Sequence, residues 1–376
     1  MKYWAYIFIL SSVFFYSCQS NKIEKIKIGY IGPLTETATD FGIGSSNALQ
    51  LLVTEYNQDR DKDQPEAELY IEDDKWKKEN AIPCYKKLKE KHDIDMVFMS
   101  NTDGTVALQD LLIKDDIILV NLLNNDALLS SLNKNTFKIG KKTEDAGEMV
   151  ALRIAELELN NVKIFYYPND FMKRVAMETY NDLKLRNITC EIKEVDPNQK
   201  SFTKEIKKGK EDGTDCFVYF TYHQASIFLD QCMKSNVKPH FFGINLFIDK
   251  DVIERTAKDS LFIEIPFFTH RDGNKFKAEE LLVKYKAKYQ NVPETYWSIF
   301  QAYDAGGLVM DILGNINEQE IEKKELTNYL RESLFSVNLY NGVCGNISIG
   351  KDGASKGIYF SLYRYNGKSE LESVTK

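Results

Sequence analysis

The sequence predicts an α/β protein built from two lobes, each holding a doubly wound parallel sheet. The chain has 376 residues, of which 43% are apolar and 28% charged, so it is long enough for two domains that each bury a core. From Ile26 onward, short β-branched runs alternate with stretches whose apolar residues recur at helical spacing, which is typical of parallel α/β folds. Two such series follow one another without a Gly/Ser-rich or Pro-rich linker, so we expect strand-like crossings to join the lobes.

The first series predicts a sheet that is complete by about residue 140. Its first strand covers Ile26 to Ile31, and the helix after it carries Ala48, Leu52 and Tyr56 on one face. The remaining strands are predicted at Leu69 to Ile71, Met96 to Ser100 and Ile117 to Asn121, with helices around Ala81 to Leu88 and over Val106 to Lys114.

The second series starts with a helix at Asp145 to Glu158 and predicts another sheet of the same kind. After Pro266 the pattern changes to three helices followed by a pair of strands that we expect to be antiparallel. The strands of the second sheet are predicted at Lys163 to Tyr167, Thr189 to Glu194, Cys216 to Phe220, His240 to Gly243 and Leu261 to Ile265, with helices at Met172 to Leu185, at Ala225 to Lys234 and from Asp249. The later helices are predicted at Lys277 to Tyr289, Thr295 to Leu313 and Lys324 to Ser333, and the final strands at Gly345 to Ile349 and Gly357 to Tyr365.

Residues 1–18 have the pattern of an export signal. Lys2 gives a positive charge, an apolar run covers Trp4 to Tyr16, and the small residue Ser17 precedes Cys18. The run is shorter than the roughly 20 residues that a helix needs to cross a bilayer, so a retained transmembrane anchor is not expected. A small residue before a cysteine resembles the bacterial lipoprotein signal, which implies a signal peptide at 1–17, lipidation of Cys18 and a lipidated tether at 18–25. An ordinary secretory peptide cut near the same place is the alternative.

Charge and motifs favour a binding protein over an enzyme. The formal net charge of -7 leaves no basic surface for nucleic acid or for an anionic membrane. The chain has no Walker A run and no G-x-S-x-G elbow, and a possible calcium loop from Asp59 has Gln64 where the turn needs glycine. His223 lies in a loop predicted to face the cleft, but the sequence offers it no nucleophile. We therefore predict no catalytic residue and no cofactor.

Metal ions and disulfides are not predicted either. The four histidines are scattered and no C-x-x-C pair exists, so no metal site is expected. Asp73 and Asp74, followed by Lys75, are interpreted as an exposed end of a strand. The cysteines after Cys18 are odd in number and without a repeating spacing, and we interpret them as buried small hydrophobic residues: Cys84, Cys190, Cys216, Cys232 and Cys344.

Several segments together resemble one known family. The stretch from Ile28 to Thr35 is followed by Phe41-Gly42 and Asn47, and the next helix ends in Glu55-Tyr56-Asn57. With these, the chain is similar to the type I periplasmic solute-binding proteins, and most of all to the branched-chain amino-acid and amide-binding branch of ABC transporters. Further similar segments are Glu72-Asp73-Asp74, Phe137-Lys138-Ile139, Gly345-Asn346-Ile347 and Asp352-Gly353, so the resemblance runs in order over nearly the whole mature chain.

The resemblance implies two lobes, three crossing segments and a ligand enclosed by hinge closure. By analogy the crossings lie near residues 140–146, 264–268 and 338–344. The N-terminal lobe is then 26–142 plus 267–340, and the C-terminal lobe 143–266 plus 341–376. The implied function is a lipid-anchored substrate-binding protein of the bacterial cell envelope, periplasmic or outward-facing. It would capture a small polar solute such as an amino acid or amide, and its partners would be that solute and an ABC permease of the inner membrane, with the lipid anchor as its only membrane contact. An interaction or sensory module on the same fold is the alternative.

The expected site lies beyond the carboxyl ends of the strands, where open α/β sheets bind ligands. The resemblance implies that Ser100, Asn101 and Thr102, with Asn124 and Asn125, hold a carboxylate. It also implies that Phe41, Phe171 and Tyr222 cover the ligand. Where the family has an acid for an ammonium group this chain has Asn245, although Asp103 or Asp126 could supply a charge.

Other interpretations of these residues stay open. Ser100 to Thr105 could simply cap the helix that follows them, because small polar side chains do so in many proteins. Asp126 could cap the next turn, and Phe41 could belong to the core. Trp297 is expected to pack at the hinge.

Overall fold

The computed structural model describes residues 23–124, 129, 132–244, 252–255, 263–268, 272–293, 296–316, 321–365 and 371–374. Within these ranges the chain forms two separate parallel-type sheets covered by helices, together with one small antiparallel sheet. Both large sheets have the strand orders of doubly wound folds, in which the first strand lies inside the sheet and later strands add on each side. The predicted fold class is therefore confirmed.

The first sheet has five parallel strands in the order β2-β1-β3-β4-β5. Every residue of β3 and β4 is buried, as expected for inner strands that helices cover on both faces. The strands are β1 Lys25–Gly32, β2 Glu66–Asp73, β3 Met96–Met99, β4 Ile118–Asn121 and β5 Thr136–Lys138, and the helices are α1 Thr39–Asp59, α2 Lys78–His92, α3 Thr102–Ala107 and α4 Gln109–Lys114.

The next part of the chain forms most of the second sheet. The elements are α5 Thr143–Glu156, β6 Asn161–Tyr166, α6 Asp170–Leu185, β7 Thr189–Glu194, α7 Thr203–Glu211, β8 Cys216–Phe220, α8 Gln224–Lys234, β9 His240–Gly243 and β10 Ile263–Phe267. They are followed by α9 Lys275–Tyr289, α10 Trp297–Gly314, the 3-10 turn Lys323–Glu325 and α11 Leu326–Phe335, and then by β11 Tyr340–Asn341, β12 Asn346–Ile349, β13 Ser355–Lys356, β14 Ser361–Tyr365 and β15 Leu371–Ser373. The full order of the second sheet is β15-β14-β10-β9-β8-β6-β7, with β14 and β15 antiparallel to their neighbours.

The helix α10 packs against α1 beside the first sheet. It is buried nearly all round, and Gly306 lies where the two helices approach most closely. A Cβ added at Gly306 would lie 2.6 Å from Cδ2 of Leu52 and 2.9 Å from Cδ2 of Leu49, so a larger residue would force these two side chains to move. This packing fixes Trp297, the first residue of α10, close to the beginning of α1.

The final pair of strands differs from the prediction. The segment expected to pair as one hairpin is split, because β12 pairs with β11 and β13 whereas β14 pairs with β10 and β15. A parallel bridge from Lys138 to Ala354 connects the small sheet to the edge of the first sheet. The pattern of apolar residues could not reveal this, because alternation identifies a strand and not its partner.

All five described cysteines are free and buried: Cys84, Cys190, Cys216, Cys232 and Cys344. Their burial agrees with the interpretation of them as small hydrophobic residues. In the described part of the chain no helix is both long and apolar enough to cross a membrane.

Candidate functional site

A cavity lies between the two large sheets, bordered by residues that follow β2, β4, β6, β8 and β9. It holds about 530 Å³ of space between atoms, including a part open to solvent. It is nevertheless narrow, because the centre of a water molecule can occupy only about 30 Å³ of it. The lining residues are Phe41, Trp76, Leu123, Asn124, Lys141, Thr143, Phe171, Met172, Tyr222, Ile244, Trp297 and Phe360.

Aromatic rings form the walls of the cavity. On the side of the first sheet, the ring of Phe41 lies 5.1 Å from that of Trp297 and 6.0 Å from that of Trp76. Phe171 and Tyr222 lie on the side of the second sheet. Six rings in one narrow space give it the apolar surface and the few polar groups that small-molecule sites have.

Tyr222 is held in place by the loop that follows β6. Asn169 donates a hydrogen bond from Nδ2 to the Tyr222 hydroxyl at 3.1 Å, and the ring of Tyr167 meets that of Tyr222 edge-on at 5.0 Å. Asn169 also caps α6 by accepting a hydrogen bond from the Met172 N–H at 2.8 Å. One asparagine therefore positions both the first turn of α6, which carries Phe171, and the ring of Tyr222.

Trp76 reaches the cavity from a strained loop after β2. Lys75 and Trp76 have φ values of 55° and 61°, a left-handed conformation that costs energy in residues other than glycine. Lys75 and Lys77 both contact the carboxylate of Glu36, at 2.9 Å and 2.7 Å, which connects this loop to the one after β1. The loop thus turns its lysines outward and its tryptophan inward.

The same turn corrects the prediction for Asp74. Asp74 is fully buried and accepts a hydrogen bond from the Trp76 N–H at 2.9 Å, and burial raises the pKa of its carboxyl to about 6. Asp73 is part-buried and accepts a hydrogen bond from the Leu34 N–H at 2.8 Å. Neither forms the exposed strand end that the neighbouring lysines suggested, because the left-handed residues reverse the chain directly after them.

Lys141 is the charged group of the cavity. Its side chain is buried, and its Nζ lies 3.5 Å from the centre of the Trp297 ring, with the rings of Phe360 and Phe268 at 5.2 Å and 5.6 Å. The ammonium donates a hydrogen bond to Oε1 of Gln301 at 2.6 Å. Burial lowers the pKa of Lys141 to about 7, although the charge of Asp272 acts in the opposite direction.

The polar loop after β3 bonds largely to the protein itself. Ser100 pairs with the Tyr30 hydroxyl at 2.8 Å, Asn101 caps α3 by accepting from the Gly104 N–H at 3.1 Å, and Thr105 donates to the Asn101 carbonyl at 2.9 Å. All of them are buried, and none of them lines the cavity. Asn101 therefore caps the following helix, as the alternative interpretation of this loop proposes. A contact between the loop and a ligand stays a prediction.

Asn124 links that loop to the cavity. Its Nδ2 donates to Oγ1 of Thr102, and its Oδ1 lies 3.5 Å from the hydroxyl of Thr143 at the beginning of α5. Of the nine predicted ligand-binding residues, the structure brings four to the cavity: Phe41, Asn124, Phe171 and Tyr222. Asn125 and Asn245 lie outside the described residues, as do Asp126 and the predicted lipidation site Cys18.

Sequence reasoning missed three groups at the cavity. Lys141 follows the Phe137-Lys138-Ile139 segment, which the resemblance did identify, but nothing in the sequence distinguishes it from the exposed Lys142 beside it. Trp76 is positioned by the strained loop after β2. Phe360 is positioned by the segment directly before β14, through which the chain returns to the second sheet. Trp297, expected at the hinge, is part of the cavity wall.

The remaining candidate groups lie elsewhere. His223 is exposed and is not among the lining residues. Over the part of the chain that the structure describes, no three His, Cys, Asp or Glu side chains come together as a metal site. Arg174 of α6 lies 3.8 Å from Asp103 of α3 and forms an ion pair between a helix beside the second sheet and one beside the first.

Comparison with solved structures finds the same architecture in proteins of low sequence identity. A leucine-binding protein, LivK, from Thermotoga maritima is 16% identical, with 93% of this chain and 98% of that chain covered and a TM-score of 0.74. The substrate-binding protein LivJ from Streptococcus pneumoniae, solved with isoleucine, is 19% identical, with 93% and 98% covered and the same TM-score of 0.74. A solute-binding protein from R. palustris in complex with benzoate is 14% identical, with 93% and 95% covered and a TM-score of 0.72. These likenesses establish the fold.

Comparison with curated protein sequences finds no match. A family model described as periplasmic binding protein matches residues 25–365, which is nearly the whole chain after its N-terminal segment. The chain therefore belongs to the periplasmic binding protein family, and the resemblance stated from its sequence is confirmed.

Proposed function

We propose that this protein is a lipid-anchored substrate-binding protein of an ABC importer, which captures a small solute between its two lobes and presents it to a permease. The observation that carries the proposal is the cavity between the sheets, which Phe41 and Trp297 line from one side and Phe171 and Tyr222 from the other. A ligand that contacts both sides stabilises the closed arrangement over an open one, because it makes its full set of contacts only when the lobes are together.

Two of the solved neighbours suggest the range of solutes to test. The protein from Streptococcus pneumoniae was solved with isoleucine and that from R. palustris with benzoate. Both compounds are small carboxylates with an apolar body, and six aromatic rings in the present cavity suit such a body.

The test is a thermal-shift screen of the purified mature protein against amino acids, amides and small carboxylates. A solute that binds the folded state at a concentration of 100 times its Kd should stabilise it by about 2.7 kcal/mol, which is a readily measured rise in Tm. Phe171→Ala should weaken the shift, whereas the same truncation at Phe276, which is 82% exposed, should leave it unchanged. A wild-type protein that shows no shift with any member of the library would remove the main support for transport.

Lipid anchoring through Cys18 is a separate part of the proposal. It rests on the apolar run from Trp4 to Tyr16 and the small residue before Cys18. Metabolic labelling with a clickable fatty acid should label the wild-type protein and not the Cys18→Ser variant. Equal labelling of the two would argue for an ordinary secreted form.

A second candidate function, a protein-interaction module of the envelope, is supported by the narrowness of the cavity. Its lining side chains leave little room even for water, so in this arrangement they fill much of the space that a solute would take. This candidate predicts that no compound of the screen changes the melting temperature of the wild type. It predicts the same for Phe171→Ala, whose melting temperature should be equal with and without each compound.

A further inference from the structure

Lys141 places a buried positive charge at the junction of the lobes. It lies between β5 and α5, where the chain leaves the first sheet, and it is only 2% exposed. The rings that surround its ammonium come from distant parts of the chain, namely Phe268, Trp297 and Phe360. Its environment is therefore created by the assembled lobes and not by a local turn.

This charge is under-compensated within the described residues. An ammonium has three N–H donors, and one of them is accepted, by the neutral amide of Gln301. No described carboxylate forms an ion pair with Lys141; Asp272 acts on it only at longer range and accepts hydrogen bonds from Ser361 and Tyr363. Burial raises the pKa of the Cys344 thiol well above its ordinary value, so that thiol offers no negative charge either. A buried cation with one neutral hydrogen-bond partner is costly, and an anion beside it would offset that cost.

The helices around the cavity add to the positive potential. Thr143 and Trp297 are the first residues of α5 and α10, and Phe171 and Phe41 are the second and third residues of α6 and α1. All four helices have 14 residues or more, and the N-terminus of such a helix carries a partial positive charge. The cavity therefore combines four helix N-termini with one ammonium group.

No acidic residue is among the described residues that line the cavity. Acidic residues do lie in the first turns of these helices: Asp40 of α1 and Asp170 of α6 are exposed to solvent, and Glu144 and Asp145 of α5 are partly buried, but none of the four lines the cavity. An ammonium group on a solute would thus enter a positive site without a described carboxylate to receive it. A carboxylate would gain a charge-assisted hydrogen bond from Lys141.

We infer that the solute is a small carboxylate with an apolar body and no ammonium group, and that Lys141 binds its carboxylate. This rests on the proposed function and specifies its substrate class. The aromatic lining receives the apolar body, and the two N–H donors of Lys141 that have no acceptor among the described residues bind the charged end. An amino acid of the same size has the body and the carboxylate, but its ammonium adds a second positive charge to the same space.

The test uses isosteres that differ by one group: isocaproate, its neutral amide isocaproamide, the corresponding amine isoamylamine, and leucine, which is isocaproate with an added ammonium. Isothermal titration at pH 6.5 should show isocaproate binding at least about tenfold more tightly than each of the others, since a hydrogen bond to a charged group contributes about 1.5–3 kcal/mol. The Lys141→Met variant should bind isocaproate and isocaproamide equally. Lys142→Met is the matched control, because Lys142 is exposed and should keep the preference of the wild type.

The outcomes separate this inference from the proposed function. Tighter binding of leucine than of isocaproate by the wild type would overturn the inference and leave a solute-binding protein. A preference for isocaproate that survives in Lys141→Met, folded by its circular dichroism, would overturn the role of Lys141. If neither this series nor the wider screen gave any binding, the proposed function itself would fall, and the inference with it.

Discussion

Two buried charges in this molecule, Glu264 and Lys141, have opposite surroundings. Glu264 on β10 is fully buried, with Arg153 donating to it at 2.9 Å and Arg364 at 3.0 Å, and Nε2 of His240 lies 3.7 Å from its carboxylate. Burial alone would raise the pKa of Glu264, but His240 and the two guanidinium groups outweigh it and hold the pKa at about 2. Among the described residues Lys141 has one hydrogen-bond acceptor, which is neutral, and burial lowers its pKa to about 7. A charge with a full set of partners belongs to the framework, whereas one with few partners is suited to binding a ligand.

The largest expected effect is the loss of stability on Glu264→Gln. The substitution keeps the shape of the side chain but leaves Arg153 and Arg364 without their shared negative charge. Breaking a buried ion pair from one side costs about 3 kcal/mol, since the remaining charge is no longer compensated. Urea denaturation followed by circular dichroism should show this as a lower free energy of unfolding.

Glu156→Gln is the control for this first prediction. Glu156 also contacts Arg153, at 3.0 Å, but its side chain is 64% exposed, and exposed pairs contribute little. An equally large loss in both variants would mean that Arg153, and not the buried Glu264, is the important member of the cluster. An unchanged free energy of unfolding in Glu264→Gln would mean that the partners of Glu264 do not stabilise the fold, and it would contradict the distinction drawn between Glu264 and Lys141.

The second prediction concerns Lys141→Met and the dependence of stability on pH. The pKa of Lys141 is about 7 in the folded state against an ordinary value of 10.5, so between these values the unfolded chain binds more protons. Stability therefore rises with pH above about 7, by on the order of 1 kcal/mol per pH unit from this group. The wild type should gain stability relative to Lys141→Met between pH 7 and pH 8.5, and urea denaturation at several pH values measures it.

Two neighbours of Lys141 bear on this measurement. Asp272 and Cys344 are the two groups close enough to raise the pKa of Lys141 when they are negatively charged. Burial raises the pKa of the Cys344 thiol well above its ordinary value, so the thiol stays protonated and Asp272 supplies the negative charge. Below about pH 7 the methionine variant should be at least as stable as the wild type, because it removes a buried charge without removing a strong partner. Parallel stability curves for the two proteins would show that Lys141 is not the under-compensated group that its contacts indicate.

The sequence predicted the sheets better than the cavity, for a physical reason. Three strands of the second sheet, Thr189–Glu194, Cys216–Phe220 and His240–Gly243, have the bounds that were predicted for them. The helix Thr203–Glu211 was missed because it is mostly Lys and Glu and buries only Ile206 and Gly209. A helix can be predicted from the spacing of its apolar residues only when it contains several of them.

In the cavity the same limit applies to individual side chains. The resemblance could identify Phe171 and Tyr222 because both lie at the connections from the ends of β6 and β8 to the next helices, where open α/β sheets bind ligands. The role of Lys141 depends on Phe268, Trp297 and Phe360, which are more than 100 residues away in the chain and meet it only after both lobes have formed. The position of Trp76 in the cavity wall depends on the left-handed backbone of both Lys75 and Trp76. Lysine and tryptophan rarely adopt that conformation, so the sequence does not predict it.

The smallest expected effect concerns the ion pair between Asp103 and Arg174, which is more exposed than either of the two buried charges. Its atoms are 3.8 Å apart, its side chains are 30% and 21% exposed, and it connects the lobes beside the cavity. Such pairs contribute about 0.2–1 kcal/mol, so Asp103→Asn should weaken ligand binding by no more than about fivefold, since the pair forms only when the lobes are together. Titration of the tightest-binding compound of the series should show this loss at low salt, and the affinities of the two proteins should become equal at high salt as screening removes the pair.

Glu211→Gln, which removes the exposed Glu211–Lys207 pair within α7, is the control and should leave affinity unchanged at both salt concentrations. A loss as large as that expected for Lys141→Met would mean that the lobes are held together mainly by this pair, and that a partly exposed charge between the lobes can matter as much as a buried one within the cavity.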